Sequence, residues 1–400
     1  MTTNEQIRKW TGPALFSYGF RPFFLFGAIW AATTMVLWIV MLSGVLSLPT
    51  RLDPVTWHAH EFLFGYLGAI IAGFLLTAVP NWTGRLPVVG WPLALLFGVW
   101  ISGRIAITFS AMIPAPLSVV IDLSFTLLLG AMILREIIAG KNWRNLVVLA
   151  LLAVFTLANL IFHIEAAHGD FAAQGYGLRL GVGTVIMLIA LIGGRVVPSF
   201  TRNWMVAAAK EGLPTPPMQR FDKATMIVSV FALILWVVLP QAQITGAALV
   251  VTGTLHLQRL VRWQGHRTLA EPLLWVLHLG YVFVPLGALL EGAAILRPDL
   301  LALGAAQHLW MAGGFAMMTL AVMARSTLGH TGQVLTAGRG SVAMFMCVLA
   351  SVVLRIAAGI WPEVADILYA LSALFWTSAF AGFIALYGAS LLRPKPDRIL

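Results

Sequence analysis

Apolar runs of about 20 residues, the length needed to cross a bilayer as a helix, alternate along the chain with short breaks rich in charge, proline or glycine. The runs predict twelve helices, near 23–46, 55–79, 91–110, 115–138, 146–167, 177–197, 224–240, 243–262, 272–296, 300–324, 341–360 and 364–391. They are long and lack two-residue alternation, which selects helices over barrel strands. Asp53-Pro54 predicts a capped start, with a carboxylate at the N-cap and proline at the first helical position. Pro298-Asp299 is expected to act similarly before the tenth helix. Pro114 with Pro116, and Pro240 with Gln241 and Gln243, mark tight turns. The break at 198–223 holds Pro198, Pro214, Pro216 and Pro217 with no apolar period, and reads as the longest loop.

Composition narrows the class. Hydrophobic residues make up 60% of 400 and charged residues 10%, against about 25% charged in soluble domains. A water-soluble globule and a disordered chain are both excluded. The single Cys347 excludes a disulfide framework and a cysteine-held metal cluster. The expected fold is an all-α polytopic bundle of about twelve transmembrane helices, a single integral membrane domain over 1–400 with the lipid bilayer as its solvent. With both termini placed inside, 20 of the 25 Lys and Arg fall on cytoplasmic segments, as the positive-inside rule requires. Segments 1–22 and 393–400 are then cytoplasmic, as is the 198–223 loop. The net charge of +10 is therefore a topology signal spread over short loops, and implies no nucleic-acid partner. No cleavable signal peptide is expected, because the first apolar run is long enough to span.

Helices 2, 6 and 10 each end in a basic, polar, turn-rich segment, at 77–85, 193–202 and 324–332. A recurrence every four helices would group the bundle as three arcs of four. Chance similarity among basic membrane-edge turns is the competing explanation.

Ionisable groups inside a bilayer are costly and mark function by default. The topology puts His58, His60 and Glu61 of helix 2, Asn159 and His163 of helix 5, and His308 of helix 10 in the outer third, with Arg104 and Arg355 at the same level. A looser inner set comprises His256, His278, His330, Arg195, Arg325 and Asn81. Neutral imidazole ligates haem iron and copper, and guanidinium groups such as Arg104 and Arg355 can hold propionates. Glu61 and Asn159 suit a proton relay or the orientation of a ligating histidine, and Met311, Met317 and Met318 could add soft ligands. A membrane histidine also commonly bonds a neighbouring helix, which is the plainer reading of His256, and methionines more often pack than ligate. On a regular helix His58 and His60 point about 200° apart and cannot share one metal, whereas His58 and Glu61 share a face. Gly181-Val182-Gly183 is a packing feature, since no strand precedes it.

The chain resembles the NnrS family of bacterial inner-membrane proteins. The resemblance rests on Phe20-Arg21-Pro22-Phe23-Phe24, on the stretch from Trp57-His58-Ala59-His60-Glu61 through Gly73 to Gly84, on Gly194-Arg195-Val196-Val197-Pro198 with Phe200-Thr201, on His278-Leu279-Gly280-Tyr281, and on Arg325 to Gly332. It implies haem, with copper as a second cofactor, an inner-membrane location, and a role in the response to nitric oxide and nitrosative stress. The family pattern carries over to His58, His60, Glu61, His163, Arg195, His278, His308, Arg325 and His330, without dividing them between haem and copper. Ser199 departs from an expected aromatic, a packing difference. Helices 6 and 7 lack the histidines of the haem–copper oxidases, so that fold is only a loose analogy and neither oxygen nor nitric oxide reduction follows from it.

Three function classes fit these residues. The first is a haem- and copper-binding membrane protein in nitric oxide tolerance, with metal candidates His58, His60, His163 and His308 and no reaction or redox partner specified. The second is a secondary transporter using intramembrane His, Glu and Arg. The third is a haem or copper delivery factor with labile ligands.

Overall fold

The computed structural model describes residues 10–299 and 303–394, and among these every regular element is helical. Twelve helices are long and apolar enough to cross a membrane: α1 Phe20–Leu42, α2 Pro54–Thr83, α3 Trp91–Thr108, α4 Ala115–Ala139, α5 Trp143–Ala167, α6 Tyr176–Ala207, α7 Arg220–Val238, α8 Gln243–Val261, α9 Pro272–Leu296, α10 Gly304–Thr331, α11 Arg339–Ile360 and α12 Ala365–Leu392. Each expected span corresponds to one of them.

Starts behave unevenly. Asp53 caps α2 as expected, its Oδ1 accepting from the backbone N–H of Val55 at 2.9 Å and Thr56 at 3.0 Å. The Asp299 carboxylate pairs with the Arg297 guanidinium at 2.9–3.0 Å. The expected start of the tenth helix at 300 lies outside the described residues.

Ends differ more. The polar segments read as turns after helices 2, 6 and 10 are largely helical, so α2, α6 and α10 run to Thr83, Ala207 and Thr331. Their hydroxyls bond back one turn, Thr77 to Gly73, Thr83 to Val79, Thr201 to Val197 and Thr331 to Thr327, at 2.7–2.9 Å. That pairing lets polar residues continue a membrane helix instead of ending it. Pro80 and Pro198 lie inside these helices. Contrary to the loop expectation, 194–207 is amphipathic: Val197, Pro198, Thr201 and Met205 are buried on one face, while Arg202 and Asn203 are exposed. The remaining break is 208–219. The helices singled out by recurrence share a further feature. Each contains a π segment, at Glu61–Tyr66, Ile189–Gly193 and Leu309–Phe315.

The chain divides into two compact units, Met1–Gly181 with Ser326–Gln333 and Phe380–Leu400, and Val182–Arg325 with Val334–Ala379. In the first, α2 is central: 78% of its apolar window is buried, against 33–44% for α1, α3, α4 and α5. Their outer faces are apolar and exposed, as at Leu95, Val120 and Leu127. Because lipid is as apolar as leucine, helix pairing here rests on close packing and on interhelical hydrogen bonds. Phe23 of α1 packs on Phe97 and Trp100 of α3 and on Phe125 of α4. Glu165 at the end of α5 accepts from the backbone N–H of Tyr176 and Gly177, satisfying the free donors that open α6. Gly177 is obligatory there, since a Cβ would lie 2.4 Å from the Phe162 backbone nitrogen. Arg21 is buried, and its Nη1 donates to the carbonyls of Leu391 at 3.0 Å and Arg393 at 2.7 Å, clasping the C-terminal end of α12.

In the second unit α7 shows the same two-sided logic. Ile227, Phe231, Ile234 and Val238 form an exposed apolar stripe, while Asp222, Thr225, Ser229 and Trp236 are buried. Buried Arg259 of α8 donates to Asp222, to the Ala190 carbonyl in the π segment of α6 and to the Tyr281 hydroxyl, at 2.8–2.9 Å.

Candidate metal centre

Four helices of the first unit converge on one buried polar cluster. The π segment of α2 begins at Glu61, and its i→i+5 bonding widens the turn. Glu61 consequently joins its neighbour: its Oε1 lies 2.9 Å from His60 Nδ1. The shared face expected for His58 and Glu61 does not form. His58 turns away as its spacing from His60 predicts, stacking on Trp38 with centroids 3.9 Å apart and packing against Phe62 at 4.4 Å. Gly65 makes room for the cluster, since a Cβ there would sit 2.5 Å from Arg104 Nη1.

Arg104 of α3 bridges two carboxylates. Its Nη1 donates to both Glu61 oxygens at 2.7 Å, and its Nη2 donates to Asp122 Oδ1 of α4. Trp30 of α1 donates from Nε1 to Glu61 Oε2 at 2.7 Å. Asn159 and His163, one turn apart on α5, face the same point. Asn159 Nδ2 donates to Asp122 Oδ2 at 2.7 Å, and His163 Nε2 lies 3.1 Å from that oxygen. His60 Nε2 lies 3.1 Å from Asn159 Oδ1 and 3.2 Å from Asp122 Oδ2. His60, Glu61, Arg104, Asp122, Asn159 and His163 are all buried.

Both nitrogens of His60 therefore face oxygen acceptors, Glu61 on one side and Asp122 with Asn159 on the other. Such a set needs an electrophile at the Nε2 side, either a proton or a metal ion. One ligand atom each from His60, Asp122 and His163 lies within 4.8 Å of the others. Tetrahedral coordination at bonds of 2.0–2.1 Å places neighbouring ligands about 3.3 Å apart, close to the His60–Asp122 and His163–Asp122 separations. Two imidazoles and a carboxylate suit a first-row transition metal. The Glu61 carboxylate at His60 Nδ1 is the outer partner that fixes a ligating imidazole. The cluster does not fit haem. His60 is fully buried, its Nε2 side is filled by Asp122 and Asn159, and the rings of Phe64 and Phe162 lie 5.4 and 5.5 Å away, which leaves no slot for a porphyrin.

The other candidates have separate surroundings. His330 lies against Tyr18 and Phe20, with centroids at 5.1 and 5.5 Å. Asn81 is exposed and donates to its own helix at Thr77. In the second unit the half-buried His308 pairs through Nδ1 with the Gly304 carbonyl, Arg355 stacks on Tyr369 at 4.5 Å, Arg325 stacks on Phe200 at 4.1 Å, and Arg195 is half-buried. His278 Nε2 is 2.8 Å from Thr201 Oγ1, and its Nδ1 is buried with no hydrogen-bond partner among the described residues. Met317 and Met318 are packed in the core.

His256 has a bonding role. Arg259 can only donate, so the Tyr281 hydroxyl accepts from it and passes its own hydrogen to His256 Nδ1 at 2.9 Å. His256 Nε2 then donates to Ser229 Oγ at 2.9 Å, and Ser229 donates to the Thr225 carbonyl. The chain ends on a backbone oxygen, which suits a brace between α7, α8 and α9.

Sequence reasoning missed Asp122, although it is the sole ionisable residue between Ala115 and Leu134, a signal that the rule applied to the histidines also covers. It missed the Arg259–Asp222 pair because Asp222 was read as part of the 198–223 loop, whereas it lies in the first turn of α7. Compared with known proteins, residues 14–395 match the family model described as NnrS protein. No curated protein matches the chain.

Proposed function

Because the chain belongs to the NnrS family, we propose that it is a copper-binding protein of the bacterial inner membrane acting in the response to nitric oxide. His60, His163 and Asp122 hold the ion, Glu61 orients His60, and Arg104 offsets the two carboxylates. The observation that carries this reading is the convergence of His60 Nε2 and His163 Nε2 on one Asp122 oxygen, at 3.2 and 3.1 Å. Copper bound by these two imidazoles and one carboxylate would supply a centre able to bind a small diatomic ligand such as nitric oxide, which partitions into lipid. The imidazoles outside the cluster, His58, His278, His308 and His330, are the remaining candidates for the haem that the family implies.

Elemental analysis and electron paramagnetic resonance of detergent-purified protein test the proposal. About one copper per chain is expected, with a nitrogen-coupled signal in the oxidised state. Asp122→Ala and His163→Ala should each remove the copper while leaving any Soret absorbance intact. Copper retained at the wild-type level in both variants would overturn the assignment.

A further inference from the structure

At the membrane face that the Lys and Arg count assigns to the cytoplasm, the 84–89 connection from α2 to α3, the start of α3 and the end of α4 line an open cavity of about 440 Å³. Its polar wall is Arg85, Arg135 and Glu136, and its apolar wall includes Leu86, Val88 and Pro92. Glu136 is nearly buried and is shared by both guanidinium groups, through Arg85 Nε at 3.5 Å and Arg135 Nη2 at 2.7 Å. One carboxylate cannot neutralise two arginines, so the cavity keeps one positive charge. The side chains of Arg85 and Arg135 remain 51% and 70% exposed, and the terminal nitrogens of Arg85 have no partner among the described residues. Trp91 and Trp143, at neighbouring helix starts, are 79% and 58% exposed, as expected of side chains at the headgroup level.

We propose that this cavity is a binding site for an anionic phospholipid. Guanidinium forks match phosphate oxygens, the spare charge selects a net-negative headgroup over a zwitterionic one, and the apolar wall suits the glycerol and first methylenes in a way that a free anion would not use. The helices that meet here are those that carry His60 with Glu61, Arg104 and Asp122, so a seated headgroup would fasten the inner ends of the three helices whose outer parts build the metal cluster.

Native mass spectrometry of the full protein in detergent, titrated with phosphatidylglycerol or phosphatidylcholine, tests the site. Phosphatidylglycerol should be retained about fivefold better, and Arg85→Gln with Arg135→Gln should abolish that preference. Glu136→Gln removes the competing carboxylate and should raise phosphatidylglycerol retention, a gain that misfolding cannot imitate. Equal retention of the two lipids, an unchanged preference in the arginine variant, or displacement of phosphatidylglycerol by millimolar inorganic phosphate would each overturn the proposal.

Discussion

Arg104 is the residue on which the first unit's polar cluster turns. Its guanidinium donates to both Glu61 and Asp122. Removing one partner of a buried ion pair typically costs about 3–5 kcal/mol, because the remaining charge is stranded. Arg104→Met should therefore lower the thermal midpoint markedly in detergent. Arg104→Met combined with Glu61→Gln should recover part of the loss, since fewer charges are then left without a counterpart. A scanning-fluorimetry series of the two variants checks this, and a double variant no more stable than Arg104→Met would show that Glu61 and Arg104 are not coupled. That these residues share a level was legible from topology alone: His60, Glu61, Arg104, Asn159 and His163 were assigned to one level of the bundle, and they do meet. Angular position was not legible. His58 has the right level and faces Trp38 instead, because two residues along a helix reverse the direction of a side chain.

At the scale of the element, the spans were readable because length and hydropathy suffice to define them. Their inner ends were not. Thr77, Thr83, Thr201 and Thr331 look like turn residues in sequence, yet each hydroxyl bonds a carbonyl of its own helix. The π segments were also invisible, since no residue type announces an inserted position. They have consequences for the cluster: the π segment of α2 sets Glu61 beside His60, and the Gly65 carbonyl within it accepts from Trp100 Nε1 at 3.0 Å. Gly65→Ala should be disproportionately damaging, because its Cβ would enter the Arg104–Glu61 contact. The expected outcome is loss of bound copper and a lower midpoint. Gly98→Ala, where a Cβ meets nothing within 4 Å, should change neither, and metal content measured side by side checks the contrast.

At the scale of the whole molecule, each unit carries its own buried charge network, Arg104 with Glu61 and Asp122 in one, Arg259 with Asp222 in the other. Asp122→Ala should empty the metal centre without disturbing the Arg259 brace, and Asp222→Asn should destabilise the protein while copper content per folded chain stays at the wild-type value. Metal analysis after removal of aggregates separates the two.

The clasp of Arg21 on the last helix also has a meaning in time. The arginine enters the membrane with α1, and its acceptor at Leu391 lies 370 residues later in the chain. At about 5–20 residues per second, roughly 20–70 s of synthesis separate the two. Throughout that interval the nascent protein carries a guanidinium whose resting place has not yet been made, so it must remain near the insertion machinery or at the water boundary. A chain that stops short of the final turn of α12 never hides that charge. The native contact thus ties the settling of the first membrane helix to the arrival of the twelfth.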